Sequence, residues 1–232
     1  MINTAQLHSD LARLARETAM MSATVQALSA EELAAGSLCE GWSRAHVIAH
    51  LASNGRTLVK LIDWAISGEP QKLYASQEAR NAEIDQLAAL PREELLSAFG
   101  ESATYFAQQC ERLAGELAVE EVDLHGKIIP AADIVALRIT EVAIHHHDLD
   151  TAWTIGEADP ASQKDAIQAA VRTMRAKNAP GMTLLSEEGD TWVVGDGSLT
   201  VRANRAGLVE WLARGNTRNI KADGPIPCLP TW

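Results

Sequence analysis

Between Thr4 and Ala152 four stretches repeat apolar residues at intervals of three and four, a period that suits one face of a helix and not a strand. Leu7, Leu11, Leu14, Ala15 and Met21 mark the first, from Thr4 to Leu28, and Ser29 with Glu32 then reads as a capping box for a short turn. The second begins near Trp42 and Ser43, carries Val47, Ile48, Leu51, Leu58, Leu61 and Ile62, and stops at Gly68. A third follows Pro91 with Leu95, Leu96, Phe99, Phe106 and Leu113 on one side, and a fourth runs from about Ala131 to Ala152. Four long helices with no strand signal between them predict an antiparallel four-helix bundle over residues 1–155, in which inward side chains can build a site. The stretch from Tyr74 to Leu90 is less periodic and reads as an extra short helix across one end.

After Asp159-Pro160 the texture changes. Ser162 to Lys177 is helical, MTLLSEEGDTWVVGDGSLTVRAN breaks into β-prone runs separated by EEGD and GDGS turns, and Leu208 to Ala213 reads as a further helix. The chain is therefore expected to be α+β, with a smaller C-terminal α/β domain over residues 156–232 holding a short antiparallel meander. The 31 acidic against 20 basic residues give a formal charge of -11, which repels phosphate backbones and anionic lipid and argues against nucleic-acid or membrane partners. No run approaches the roughly 18 apolar residues of a membrane helix. The opening MINTAQLHSD lacks the basic and apolar regions of a secretory signal, so a cytoplasmic location is expected. Cys39, Cys110 and Cys228 lie too far apart for a disulfide framework or a thiolate zinc cluster and read as reduced, mostly buried thiols.

The fourth stretch carries the chemistry. Arg138, Glu141, His145 and Asp148 are spaced 3, 4 and 3 apart and form one polar stripe beside the apolar stripe of Ile134, Val135, Ile139, Val142 and Leu149. A carboxylate and an imidazole one turn apart can reach a single cation. The second stretch offers His46 and His50, also one turn apart, and the apolar neighbours of His50 turn it toward the core. Two histidines and a carboxylate are the protein ligands of many zinc sites with a fourth, open position. Iron or nickel fits less closely and magnesium or calcium least. A lone Glu/His pair is more often a solvated helix face. His146 and His147 read as exposed or hydrogen-bonded groups, Asp148 as an orienting carboxylate or the start of the helix exit, Trp42 as a core anchor, and His8 and His125 as incidental.

GWSRAHVIAHL, followed about ninety residues later by LRITEVAIHHHDL, resembles the mycothiol-dependent maleylpyruvate isomerase family of the DinB-like metalloprotein superfamily. WLARGN and the closing PCLPTW look like the C-terminal end of that family. The resemblance covers most of the chain and implies a metal-binding helical bundle joined to a small α/β domain, with zinc held by His50, Glu141 and His145. It also implies mycothiol as a thiol cofactor, and conversion of maleylpyruvate to fumarylpyruvate in gentisate breakdown. A dianionic substrate needs cations, for which Arg138 on the stripe and Arg214 and Arg218 near the C-terminus are the candidates, a C-terminal arginine being favoured. Two other readings remain open: a zinc-dependent thiol S-transferase of the same superfamily, and a non-catalytic metal-binding module.

Overall fold

The computed structural model describes residues 2–124 and 126–230. His125, and Thr231 and Trp232 of the closing PCLPTW, lie outside the described residues. The chain divides into two compact units, Met1–Trp153 and Thr154–Trp232.

The first unit is mainly helical: α1 Thr4–Ala27, α2 Ala30–Ala34, α3 Arg44–Ser67, α4 Gln77–Ala88, α5 Arg92–Cys110 and α6 Ile134–Asp148. Local chemistry sets their ends. Ser29 and Glu32 exchange hydrogen bonds of 3.2 and 2.8 Å, a capping box that opens α2. Ser43 caps α3 while Gly68 closes it in the left-handed region at φ 77°, where a side chain would be strained. Asp150 at φ 51° turns the chain just past α6, which is shorter than the expected stretch to Ala152.

Helix α3 packs against α4, α5 and α6, and α1 packs against α5 and α6. The core between them contains Met21, Val47, Ile48, Leu51, Leu61, Ile62, Phe106, Ile139 and Val142, none of them more than 0 % exposed. Ala15, expected on the inner face of α1, is exposed, and Asp10, Arg13 and Glu17 are buried instead. A second departure lies between α5 and α6. An antiparallel pair, β1 Glu121–Leu124 and β2 Lys127–Pro130, fills a segment that carried no strand signal. Each strand has four residues and buries one large side chain, Val122 or Ile129, too few for a visible alternation.

The second unit contains α7 Pro160–Ala176, β3 Met182–Ser186, β4 Thr191–Val194, β5 Leu199–Ala203, α8 Arg205–Arg214 and β6 Lys221–Ala222. Its strand order is β4-β3-β5-β6, with β3 antiparallel to β4 but parallel to β5, so the sheet is mixed and not the antiparallel meander expected. The turn between β4 and β5 explains the difference. It crosses the start of β3, where Gly195 and Gly197 adopt φ 55° and 69° and a Cβ on Gly181 would lie 1.7 Å from Asp196 Oδ1. Cys110 is buried, whereas Cys228 is exposed, contrary to expectation. Among the described residues no helix is long and apolar enough to cross a membrane.

Candidate metal centre

Helices α3 and α6 supply the site, and Arg44 links their ends. From the first turn of α3 its guanidinium donates to the carbonyls of Leu149 and Asp150 just past α6, and to Glu32 at 3.2 Å in α2. This brings His50, two turns into α3, against the Glu141 and His145 face of α6. His50 Nε2 lies 2.9 Å from Glu141 Oε2, His145 Nε2 lies 3.6 Å from the same oxygen, and the two imidazole rings meet edge to face with centroids 4.7 Å apart. One donor atom from each residue falls within 4.8 Å of the others.

Behind this cluster His145 Nδ1 contacts Asp148 Oδ2 at 2.7 Å, and the Cys39 thiol donates to the same carboxylate oxygen at 3.3 Å. Leu38 N–H donates to the Asp148 carbonyl at 2.9 Å, which positions the Cys39 segment there. Asp148 thus orients an imidazole. Cys39, His145 and Asp148 also bring donor atoms within 4.8 Å of one another. The Asp148 side chain is 0 % exposed, however, whereas Glu141 keeps 26 % of its side chain accessible. Of the two groups, the one centred on Glu141 has the more accessible carboxylate. Two imidazole nitrogens and one reachable carboxylate fit an ion of intermediate softness with an open position, as zinc requires.

Electrostatics keep Glu141 ionised. Burial works against the Glu141 carboxylate, but the hydrogen bond from His50 and the charges of His145 and Arg138 outweigh it and hold the group down at about 2. His50 is neutral, because burial pushes its imidazole down to about 4 against the pull of Glu141. His145 goes the other way. Burial opposes its charge, yet the hydrogen bonds to Asp148 and Cys39 and the charges of Asp148 and Glu141 raise it to about 9.

Most of the other candidate residues have partners of their own. His46 is engaged at the helix start, its Nδ1 2.7 Å from Ser43 Oγ and its Nε2 3.7 Å from Asp85 Oδ1. His146 is buried, stacked on Trp153 with centroids 3.8 Å apart and 2.7 Å from Thr24 Oγ1, so it is not exposed. His147 is half-buried. Arg138 is 1 % exposed and donates to Asn54 Oδ1 at 2.7 Å, with burial pushing its guanidinium down to about 10. Arg214 ends α8 and donates to the Ala213 carbonyl, and Arg218 lies in the exposed turn beyond it.

Arg80 on α4 and its neighbour Tyr74 carried no assignment in the sequence, and Cys39, read there only as a reduced thiol, lies behind the donors. Arg80 Nη2 is 3.2 Å from His50 Nδ1, and the Trp42 ring lies 5.6 Å from the His50 ring. Helix α4 buries only Ile84, so no periodicity pointed Arg80 at the site. Trp42 is half-buried beside the donors, more than the core anchor expected of it.

A helical unit that brings two histidines and one glutamate to one point defines a class of protein with a candidate metal site. The chain belongs to the family of the mycothiol maleylpyruvate isomerase N-terminal domain, which its residues 14–150 match. Two solved structures, of the mycothiol-dependent maleylpyruvate isomerase and of a histidine-to-alanine mutant of it, are each 28% identical to this chain. Each aligns over 97% of both chains with a TM-score of 0.84. No curated protein sequence matches.

Proposed function

We propose that this chain is a zinc- and mycothiol-dependent isomerase that converts maleylpyruvate to fumarylpyruvate. The observation that carries the reading is the convergence of His50, Glu141 and His145 donor atoms within 4.8 Å in a chain of this family. These residues would hold the ion through His50 Nε2, Glu141 Oε2 and His145 Nε2. When bound, zinc supplies Lewis acidity, either lowering the pKa of a thiol or polarising a substrate carbonyl.

The chain's residues prepare that chemistry. Asp148 keeps the Nδ1 proton of His145 and leaves Nε2 facing Glu141. Arg138, buried behind the carboxylate, favours its ionised form. The isomerisation itself needs no oxidant. The thiol loses its proton to solvent, and the thiolate sulfur bonds to one alkene carbon while the π pair moves onto the conjugated carbonyl oxygen. The former double bond rotates, and the pair then returns and expels the thiolate, leaving the trans alkene and the thiol unchanged. A cation must meet the substrate carboxylates, and of Arg138, Arg214 and Arg218, the candidates for a dianionic substrate, the 1 % exposure of Arg138 favours the other two.

The test is the absorbance of zinc-loaded protein with maleylpyruvate, with and without mycothiol, followed to fumarylpyruvate. Thiol-dependent, chelator-sensitive conversion is expected. Zinc binding with no conversion would reject the isomerase and favour a thiol S-transferase using the same three ligands.

A further inference from the structure

Arg80 is half-buried and held between two aromatic rings, its guanidinium carbon 5.8 Å from the Trp42 centroid and 5.9 Å from that of Tyr74. Tyr74 is fixed in turn by a hydroxyl contact of 3.2 Å to Ser53 on α3. The side-chain hydrogen bonds of Arg80 go to neutral acceptors, His50 Nδ1 at 3.2 Å and Asn81 Oδ1 at 3.3 Å. Among the described residues no carboxylate pairs with it, in a chain where acids outnumber bases 31 to 20. A preorganised guanidinium without an acidic partner, beside a metal-type cluster, has the features of an anion receptor.

A guanidinium can only donate. Its contact with His50 therefore requires a lone pair on Nδ1 and puts the ring proton on Nε2, where it is donated to Glu141 at 2.9 Å. Ligation through Nε2 demands the opposite tautomer, with the proton on Nδ1. That N–H would face the Arg80 N–H groups, donor against donor, and the guanidinium has to turn away. Loading the cluster thus frees the planar fork of Arg80 at the edge of the site.

We propose that Arg80 is the carboxylate anchor of this site, latched on His50 in the metal-free protein and released by metal ligation to bind one carboxylate of a dicarboxylate ligand. The proposal rests on the zinc-dependent reading given above. It adds a cation from the helical unit to the arginines expected near the C-terminus.

The experiment measures two equilibria on the full chain: calorimetric binding of maleate to the zinc-loaded protein, and zinc affinity by competition with a chromophoric chelator. In Arg80→Gln maleate affinity should fall about tenfold or more, the size expected for lost charge-assisted hydrogen bonds. Arg80→Lys, which keeps the charge but not the fork, should fall between. Zinc affinity should be unchanged or tighter in both, because the latch on His50 is gone. A residue that merely props up the metal cluster would weaken zinc when removed. Weakened zinc in both variants, or unchanged maleate affinity, or no maleate binding by the zinc-loaded wild type, would each overturn the proposal. Arg80-dependent maleate binding without maleylpyruvate isomerisation would retain the anchor and reject the isomerase. Isomerisation with KM unaltered in Arg80→Gln would do the reverse.

Discussion

His145 Nδ1 lies 2.7 Å from Asp148 Oδ2, and the Asp148 side chain is fully buried, so the ring is held by a partner that solvent cannot replace. Nε2 is thereby directed at Glu141. Asp148→Asn keeps the size of the side chain but loses the charge that secures the Nδ1 proton. Zinc affinity should drop roughly 10-fold to 100-fold, as is usual when an orienting partner of a ligating histidine is altered. Chelator competition on the purified variant measures it, and an unchanged affinity would remove Asp148 from the site.

His50→Ala tests the cluster directly. His50 is 6 % exposed on a helix whose apolar neighbours Val47, Ile48 and Leu51 are fully buried, and these carry the packing of α3. Metal binding and activity should be lost, while the circular dichroism spectrum keeps its helical form. Stoichiometric zinc in the variant would show that another residue completes the donor set.

How far such features were legible follows from the range of the forces that create them. The Glu141 and His145 pairing on α6, and the caps at Ser29 and Gly68, are local, and local spacing conveys them. The approach of His50 depends on helix packing, and only its apolar neighbours hinted at it. Arg80 is placed by Trp42 and Tyr74, contacts that helix periodicity does not encode. Burial of Arg138 was hidden because its polar neighbours on the stripe suggested an accessible face. The parallel pairing of β3 and β5 depends on a glycine crossing that resembles an ordinary hairpin turn in sequence.

Gly55 lies where α3 approaches α5 closely. A Cβ added there would sit 2.4 Å from Ser102 Oγ and 3.2 Å from both the Ser102 carbonyl and Arg138 Nη2. Ser102 cannot simply swing aside, because its hydroxyl donates to the Ala52 carbonyl at 2.6 Å. Alanine normally stabilises a helix interior by about 1 kcal/mol over glycine. Overpacking a tight contact costs about 1–3 kcal/mol. The net cost of Gly55→Ala should therefore be about 1 kcal/mol, lowering Tm by roughly 2–4 °C in a thermal melt. A raised Tm would mean that the two helices can separate at little cost.

In the second unit Asp190 joins three elements. Its carboxylate accepts from Arg205 at 2.5 Å at the start of α8, pairs with Lys164 of α7 at 3.1 Å and accepts from Ser186 Oγ at the end of β3. The hydrogen bond from Arg205 leads, with Lys164 and Ser186 adding to it, and together they overcome burial and hold the carboxyl down at about 2 from an ordinary 3.8. A carboxyl depressed in the folded state adds stability that is present above its unfolded value and is lost as pH falls from near 4 toward 2. The group is partly solvated, with 18% of its side chain exposed, so its contribution is set at about 1 kcal/mol after screening. Asp190→Asn should cost about that much at pH 7 in a urea titration and progressively less as pH falls from near 4 through 2, where the wild type loses the same interaction. A cost that persisted unchanged into acid would show that Asp190 acts through packing and not through its charge.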